Sequence, residues 1–325
     1  MTAAETPYLS IVVTGRNDDF GGDFNGRFFR ALKFNHDELT RAGIAYELVF
    51  VEWRPIAGAP YLASVLEQEF SYLGPSRLRS YVVDPTYHDA LSLNPRLQFQ
   101  EFIAKNVGIR RSSGHFVLTT NTDIYMSRGV LGCLASRSLE EGILYRAARC
   151  DLKSHSDVSR VDWDQLEDER NYDIINAIRP PLFTNASGDF LLLDRNSYHR
   201  LRGFNEVYRV AKIHIDGNFC LKAHASAVPL VDIGWPVYHV GRGTFQAQAG
   251  LYRDQPGAAP WGDRRWKSDV IYLNGPEWGL ADAPERQISA CTAFIDFAWQ
   301  TVGPMVDLSR VVLPRADPAN HVAVG

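Results

Sequence analysis

Residues 115–123 read HFVLTTNTD: an apolar, strand-like run breaks into a polar cluster that ends in a carboxylate, Asp123, with an amide, Asn121, two positions before it. Two readings fit this ending. A carboxylate at a strand end can hold a hard divalent cation that bridges two phosphate oxygens of a nucleoside diphosphate. Equally, Asp123 can cap a turn, because short polar strand ends favour Asx geometry. Which reading applies depends on the sheet to which the strand belongs, so the flanking segments come next.

Upstream, YLSIVVT (8–14), YELVFVE (46–52) and RLRSYVV (77–83) are further short β-branched runs of the buried-strand type. Between them lie helical patterns. Residues 27–42 place Phe28, Leu32 and Leu39 at roughly helical spacing ahead of Gly43. Pro60 opens a helix that runs to about Phe70, and 97–114 carries Phe99, Phe102, Ile103 and Val107 along one side. The order β-α-β-α-β-α-β within the first 120 residues predicts right-handed crossovers and a mainly parallel sheet. Ligands of such sheets gather at the carboxyl ends of the strands. Three of the four strand ends carry polar or acidic groups there: 14–19, Glu52, and Asn121 with Asp123.

The second half is less regular. Residues 143–152 read as one strand, and 153–187, with Pro180-Pro181, as a long loop or short helices. GDFLLLDR (188–195) is a strand and 196–206 a short helix followed by a turn. HIDGNFCLKAHA (214–225) is a helix with Asp216 at its start, and 228–243 holds one or two short strands ending at His239 and a glycine loop. Residues 246–325 contain four of the seven tryptophans and read as an appended lid or oligomer surface, which leaves open a homo-oligomer. The division is therefore 1–245, with halves 1–125 and 126–245, followed by a C-terminal extension over 246–325.

Composition narrows the class. A formal charge of −4 with no Lys/Arg run argues against nucleic acid or a membrane surface as partner. The four cysteines form no C-x-x-C pair, which argues against a zinc knuckle and suits a reducing compartment. MTAAETPYLS has no basic segment followed by an apolar run, and no apolar stretch approaches ~20 residues, so we expect a cytoplasmic protein without a spanning segment. There is no G-x-G-x-x-G after the first strand, no G-x-S-x-G, no P-loop and no H-E-x-x-H, which leaves dinucleotide, serine-hydrolase, NTPase and zincin readings without support.

VVTGRND, VFVEW and NVGIRRSSGHFVLTTNTD, in that order, resemble a GT-A glycosyltransferase of the family 2 type. Those enzymes run from an apolar strand and polar loop to a second strand ending in an acid, then a helix with N-x-(A/G), then a strand into D-x-D. Asn106-Val107-Gly108 takes the helix element and Asn121-Thr122-Asp123 the D-x-D place, with Asn for the first acid. Farther on, Arg202-Gly203-Phe204-Asn205-Glu206 stands where the family has a G-G-F-(D/N)-E turn. Ile215-Asp216 stands where an acidic pair opens a helix and its last acid is the catalytic base.

The resemblance implies an α/β GT-A fold, a single mixed, mainly parallel sheet flanked by helices with a C-terminal extension. It implies an inverting sugar transfer from a nucleotide-sugar donor, a UDP-sugar first among them, to a glycan, lipid-linked or small-molecule acceptor. It assigns Asp216 as base and Asp123 with a late histidine, His239, as ligands of Mn²⁺ or Mg²⁺. Thr14, Arg16, Asn17, Glu52, Asn106, Asn121 and Arg242 become donor-binding candidates. Plainer roles stand beside these: an N-cap for Asp216, an ordinary histidine for His239 and an exposed loop arginine for Arg242. Two other classes also remain, a GT-A-like nucleotide-sugar binder or nucleotidyltransferase, and an interaction module built on the same sheet.

Overall fold

The computed structural model describes residues 6–19, 22–95, 97–153, 161–209, 215–240 and 271–306. The four leading strands are β1 (Leu9–Gly15), β2 (Tyr46–Trp53), β3 (Leu78–Val83) and β4 (Phe116–Thr119), and they lie in the order β4-β1-β2-β3, all parallel. The expected α/β architecture, a mixed and mainly parallel sheet flanked by helices, is what the chain adopts.

The strands are apolar along their whole length because both faces are covered. On one face Ile11, Val13, Leu48 and Phe50 meet Phe24, Phe28, Leu32 and Leu39 of the helix Phe24–Arg41. On the other, Val12, Val49 and Val51 meet Phe102, Ile103 and Val107 of the helix Glu101–Arg111. Gly108 lets that second helix lie close to the sheet: a Cβ there would stand 2.5 Å from Val12 Cγ1.

The second half departs from its expected outline in an instructive way. The single strand expected over 143–152 is two, β6 (Leu144–Arg146) and β7 (Arg149–Leu152), separated by Ala147-Ala148. β6 joins the large sheet and β7 a smaller one, so two residues carry the chain from one sheet to the other. The small sheet runs β5-β11-β7-β8, with β5 at Ile124–Met126, β8 at Tyr172–Asn176 and β11 at Val237–His239. β8 lies in the stretch read as loop or short helices. It pairs antiparallel with β7, so cross-strand partnership makes the strand.

In the large sheet β9 (Leu191–Asp194) runs antiparallel between β4 and β6, and β10 (Leu230–Asp232) forms the outer edge. At the other end β13 (Thr292–Ile295) pairs parallel with β3, and β12 (Glu285–Gln287) closes the edge. These last two strands come from the stretch set apart as a C-terminal extension. Among the described residues no helix is long and apolar enough to cross a membrane.

Candidate active site

The parallel set β4-β1-β2-β3 brings its carboxyl ends to one rim, and the polar residues after β1, β2 and β4 collect there. The small sheet then supplies the rest. In its register His239 lies opposite Ile124 on β5 and opposite Asp151 on β7, so strand pairing alone places Asp123, His239 and Asp151 together.

His239 Nε2 stands 3.6 Å from Asp123 Oδ2, and His239 Nδ1 lies 2.6 Å from Asp151 Oδ1. Arg27 Nε approaches Asp123 Oδ2 from the helix side at 3.7 Å. Burial opposes charge on His239, Asp123 and Asp151, but the opposite charges prevail. The His239 imidazole is raised to about 10 because, against its burial, carboxylates flank both nitrogens. The Asp123 carboxyl, despite burial, is held below the usual range by His239 and Arg27. Asp151 is likewise lowered against its burial, by the hydrogen bond with His239 and the charge of Arg149.

From Asp151 a polar chain continues without a break. Arg149 donates to Asp151 Oδ2 at 3.0 Å and to Asp189 Oδ2 at 2.6 Å. Asp189 Oδ1 accepts from Asn121 Nδ2 at 2.6 Å, and Asn121 Oδ1 accepts from Lys105 Nζ at 3.0 Å. Lys105, 0% exposed, also reaches the carbonyl of Gly188 at 3.0 Å and Glu101 at 2.8 Å. Gly188 then donates its backbone N–H to Asp216 Oδ2 at 2.7 Å, beside Ser187 Oγ at 2.8 Å. Asp216 lies in the first turn of the helix Ile215–Ala225. The Ser187-Gly188 turn that holds it is pinned from behind by Arg146, whose guanidinium donates to the carbonyls of Phe183, Asn185 and Ser187.

Asp123 and Asp216 thus stand at the two ends of one connected set of polar groups, joined to Asp216 through the Gly188 backbone. That set also accounts for the amide at 121. Its oxygen answers a lysine and its nitrogen answers a carboxylate, so only an amide satisfies both neighbours. Asn121→Asp sets two carboxylates against each other 2.6 Å apart. We expect it to cost about 2 kcal/mol at pH 8, in line with an unsatisfied buried polar group, with part recovered near pH 5, where one acid takes up a proton. Chemical denaturation at the two pH values checks this, and equal stability to the native chain at pH 8 rules it out.

The other sequence-selected residues sit as follows. Thr14 is buried near the end of β1. Arg16 donates to the Arg54 carbonyl at 3.0 Å and pairs with Asp18 at 3.3 Å. Asn17 clasps the loop after β2 through Ile56 N, Ile56 O and Pro60 O. Glu52 is fully buried, and Oε2 accepts from Ala63 N at 2.9 Å, so it serves the start of the helix Leu62–Glu69. Burial pushes its carboxyl up to about 7. Asn106 faces the 203–206 turn, where it bonds both backbone groups of Phe204 and the Glu206 carboxyl. Arg242 lies outside the described residues. Asp151, Arg149 and Lys105 entered through the structure; Asp189, beside Gly188 at the head of the strand read over 188–195, was already an expected part of the acceptor side.

Comparison with known proteins adds three solved structures. No family model and no curated protein matches this chain. GalNAc-T7 with UDP, GalNAc and Mn²⁺ aligns at TM-score 0.47 and 11% identity over 79% of this chain and 46% of that one. This chain therefore spans about half the length of GalNAc-T7. The catalytic domain of Drosophila β1,4-galactosyltransferase 7 with xylobiose aligns at 0.38 and 10% identity over 91% of this chain and 98% of that one. A mutant of the same Drosophila enzyme with manganese, UDP-Gal and xylobiose aligns at 0.44 and 9% identity, with the same coverage.

Proposed function

We propose that this chain is a GT-A glycosyltransferase of the family 2 type, transferring a sugar with inversion from a nucleotide-sugar donor to an acceptor hydroxyl. The observation that carries the reading is the polar chain that ties the Asp123–His239 pair to Asp216. Asp216 has one oxygen fixed by Ser187 and Gly188, and its other oxygen meets no hydrogen-bond partner among the described residues. The free oxygen takes the proton of the acceptor hydroxyl as that hydroxyl attacks the anomeric carbon. The bond from that carbon to the diphosphate breaks on the opposite side, and the nucleoside diphosphate leaves with the electron pair.

Asp123 and His239 suit a divalent cation. His239 Nε2 and Asp123 Oδ2 lie 3.6 Å apart, close enough that both would hold one cation. Among the described residues no third His, Cys, Asp or Glu joins them, so substrate phosphates and water would have to supply the rest of the shell. When bound, it would offset the charge that grows on the departing diphosphate. An imidazole ligand favours Mn²⁺ over Mg²⁺, and UDP-sugars are the first donors to try.

The test is a thermal-shift panel of UDP-, GDP-, dTDP- and CDP-sugars with and without Mn²⁺, read beside release of nucleoside diphosphate. Ligand at about a hundred times its dissociation constant adds roughly 2.7 kcal/mol, a shift of a few degrees. No shift and no release with any donor would overturn the assignment.

The raised His239 titration makes a second prediction. In the cation-free protein the proton on His239 stabilises the fold below the unfolded value of about 6.5, and this is lost as pH rises through about 10. A cation must displace that proton, so Mn²⁺ affinity should rise by up to about tenfold per pH unit below that value. Free-Mn²⁺ EPR at pH 6.5, 7.5 and 8.5 measures it, and a flat profile excludes His239 as the displaced group.

A further inference from the structure

We infer that Asp151 is the positioning residue that fixes His239 for the cation, an inference that rests on the reading of Asp123 and His239 as the cation pair. The ring has two nitrogens on different edges. Nδ1 lies 2.6 Å from Asp151 Oδ1, and Nε2 faces Asp123 Oδ2 at 3.6 Å. Asp151 therefore sits on the side of the ring away from Asp123. It touches the cation pair through the imidazole, and no third His, Cys, Asp or Glu joins the pair among the described residues.

Asp151 is itself held. Its second oxygen accepts from Arg149 Nη2 at 3.0 Å and from Asn176 Nδ2 at 2.6 Å. Three neighbouring strands of the small sheet thus contribute to one clamp: β11 brings the ring, β7 the carboxylate and its arginine, and β8 the asparagine. A histidine that coordinates through Nε2 must keep its proton on Nδ1. A carboxylate accepting that proton fixes the tautomer and the ring plane and makes Nε2 a better donor. Arg149 extends the clamp, because its other arm holds Asp189 and through it Asn121.

Asp151→Asn tests the assignment sharply. Arg149 and Asn176 both donate to Oδ2, so the new amide turns its oxygen to them and its NH₂ to Nδ1. The ring must then accept at Nδ1 and carry its proton on Nε2, where the cation would bind. In the full chain, with Mn²⁺ alone as probe and EPR as readout, Asp151→Asn should bind Mn²⁺ about 10–100-fold more weakly. In a His239→Asn background the same change should add less than about twofold, because the ring through which it acts is gone. Equal losses in both backgrounds would show a merely structural role and overturn the inference.

A second readout needs no cation. In ¹⁵N NMR of the cation-free protein at a pH high enough to leave the ring neutral, its one remaining proton should sit on His239 Nδ1 in the native chain and on Nε2 in Asp151→Asn. A proton that stays on Nδ1 in Asp151→Asn would also overturn the inference. If the native chain fails to bind Mn²⁺, the cation reading of Asp123 and His239 falls, while the NMR result still decides whether Asp151 governs the ring.

Discussion

Replacing Asp216 by Asn is expected to slow sugar transfer by about 10²–10⁴-fold, the usual worth of a positioned general base, while donor binding and thermal stability stay near those of the native chain. The local geometry explains why the loss should be so selective. Two donors, Ser187 Oγ and Gly188 N, point at one carboxylate oxygen. An asparagine can place its own oxygen in that cradle and leave its NH₂ on the open side. The turn, pinned by Arg146 and Lys105, has no reason to move. What disappears is the ability to take a proton. The measurement is nucleoside diphosphate release with and without acceptor, beside a thermal-shift titration with the donor. A variant that keeps more than a tenth of the native rate removes Asp216 from the chemistry. One that also loses its fold points to the helix-capping role.

The second large effect concerns stability. Gly203→Ala should lower unfolding free energy by about 3–5 kcal/mol, the sum of a left-handed backbone cost, overpacking and a disturbed buried hydrogen-bond set. Gly203 has φ +62, and a Cβ on it would stand 2.2 Å from Asn106 Oδ1 and 2.9 Å from Trp278 Cε3. Asn106 cannot give way freely, because its amide bonds Phe204 N at 2.7 Å, Phe204 O at 2.9 Å and Glu206 Oε1 at 2.8 Å. Behind the turn Lys222 Nζ donates to the Gly203 carbonyl, and Gly279 N donates to Glu206 at 2.9 Å. Denaturant unfolding measures the change. A loss under about 1 kcal/mol would mean that the turn relaxes far more readily than this packing allows.

These two sites show what the amino-acid order reveals and what it hides. β1 to β4 were legible because a parallel strand covered on both faces is apolar at every position, and Ile11 to Val13 and Leu48 to Val51 carry that signature. The Asn106-Val107-Gly108 and Gly203-Phe204 elements were legible as motifs. That the first binds the second across 98 positions was not. The partnership of His239 with Asp151, 88 residues apart, is a product of strand register, which residue order does not spell out. β8 was obscure because cross-strand pairing makes it, and β7 because two alanines are a faint boundary between sheets. Residue type is similarly mute about direction. Asn17, Glu52 and Asn106 have the chemistry of ligand binders, yet in this structure the two amides and Glu52 Oε2 bond the chain itself.

The pairing of β13 with β3 bears on how the molecule is made. Their partner residues, Thr292 with Ser80 and Ile295 with Val83, are separated by more than 200 positions. At about 5–20 residues per second of translation, β3 leaves the ribosome roughly 10–40 s before its neighbour exists. During that interval a bare row of backbone donors and acceptors invites any passing strand. A nascent chain of this protein should therefore lean on chaperones until β13 emerges, and nonsense truncations between residues 243 and 291 should aggregate while leaving every proposed catalytic side chain encoded.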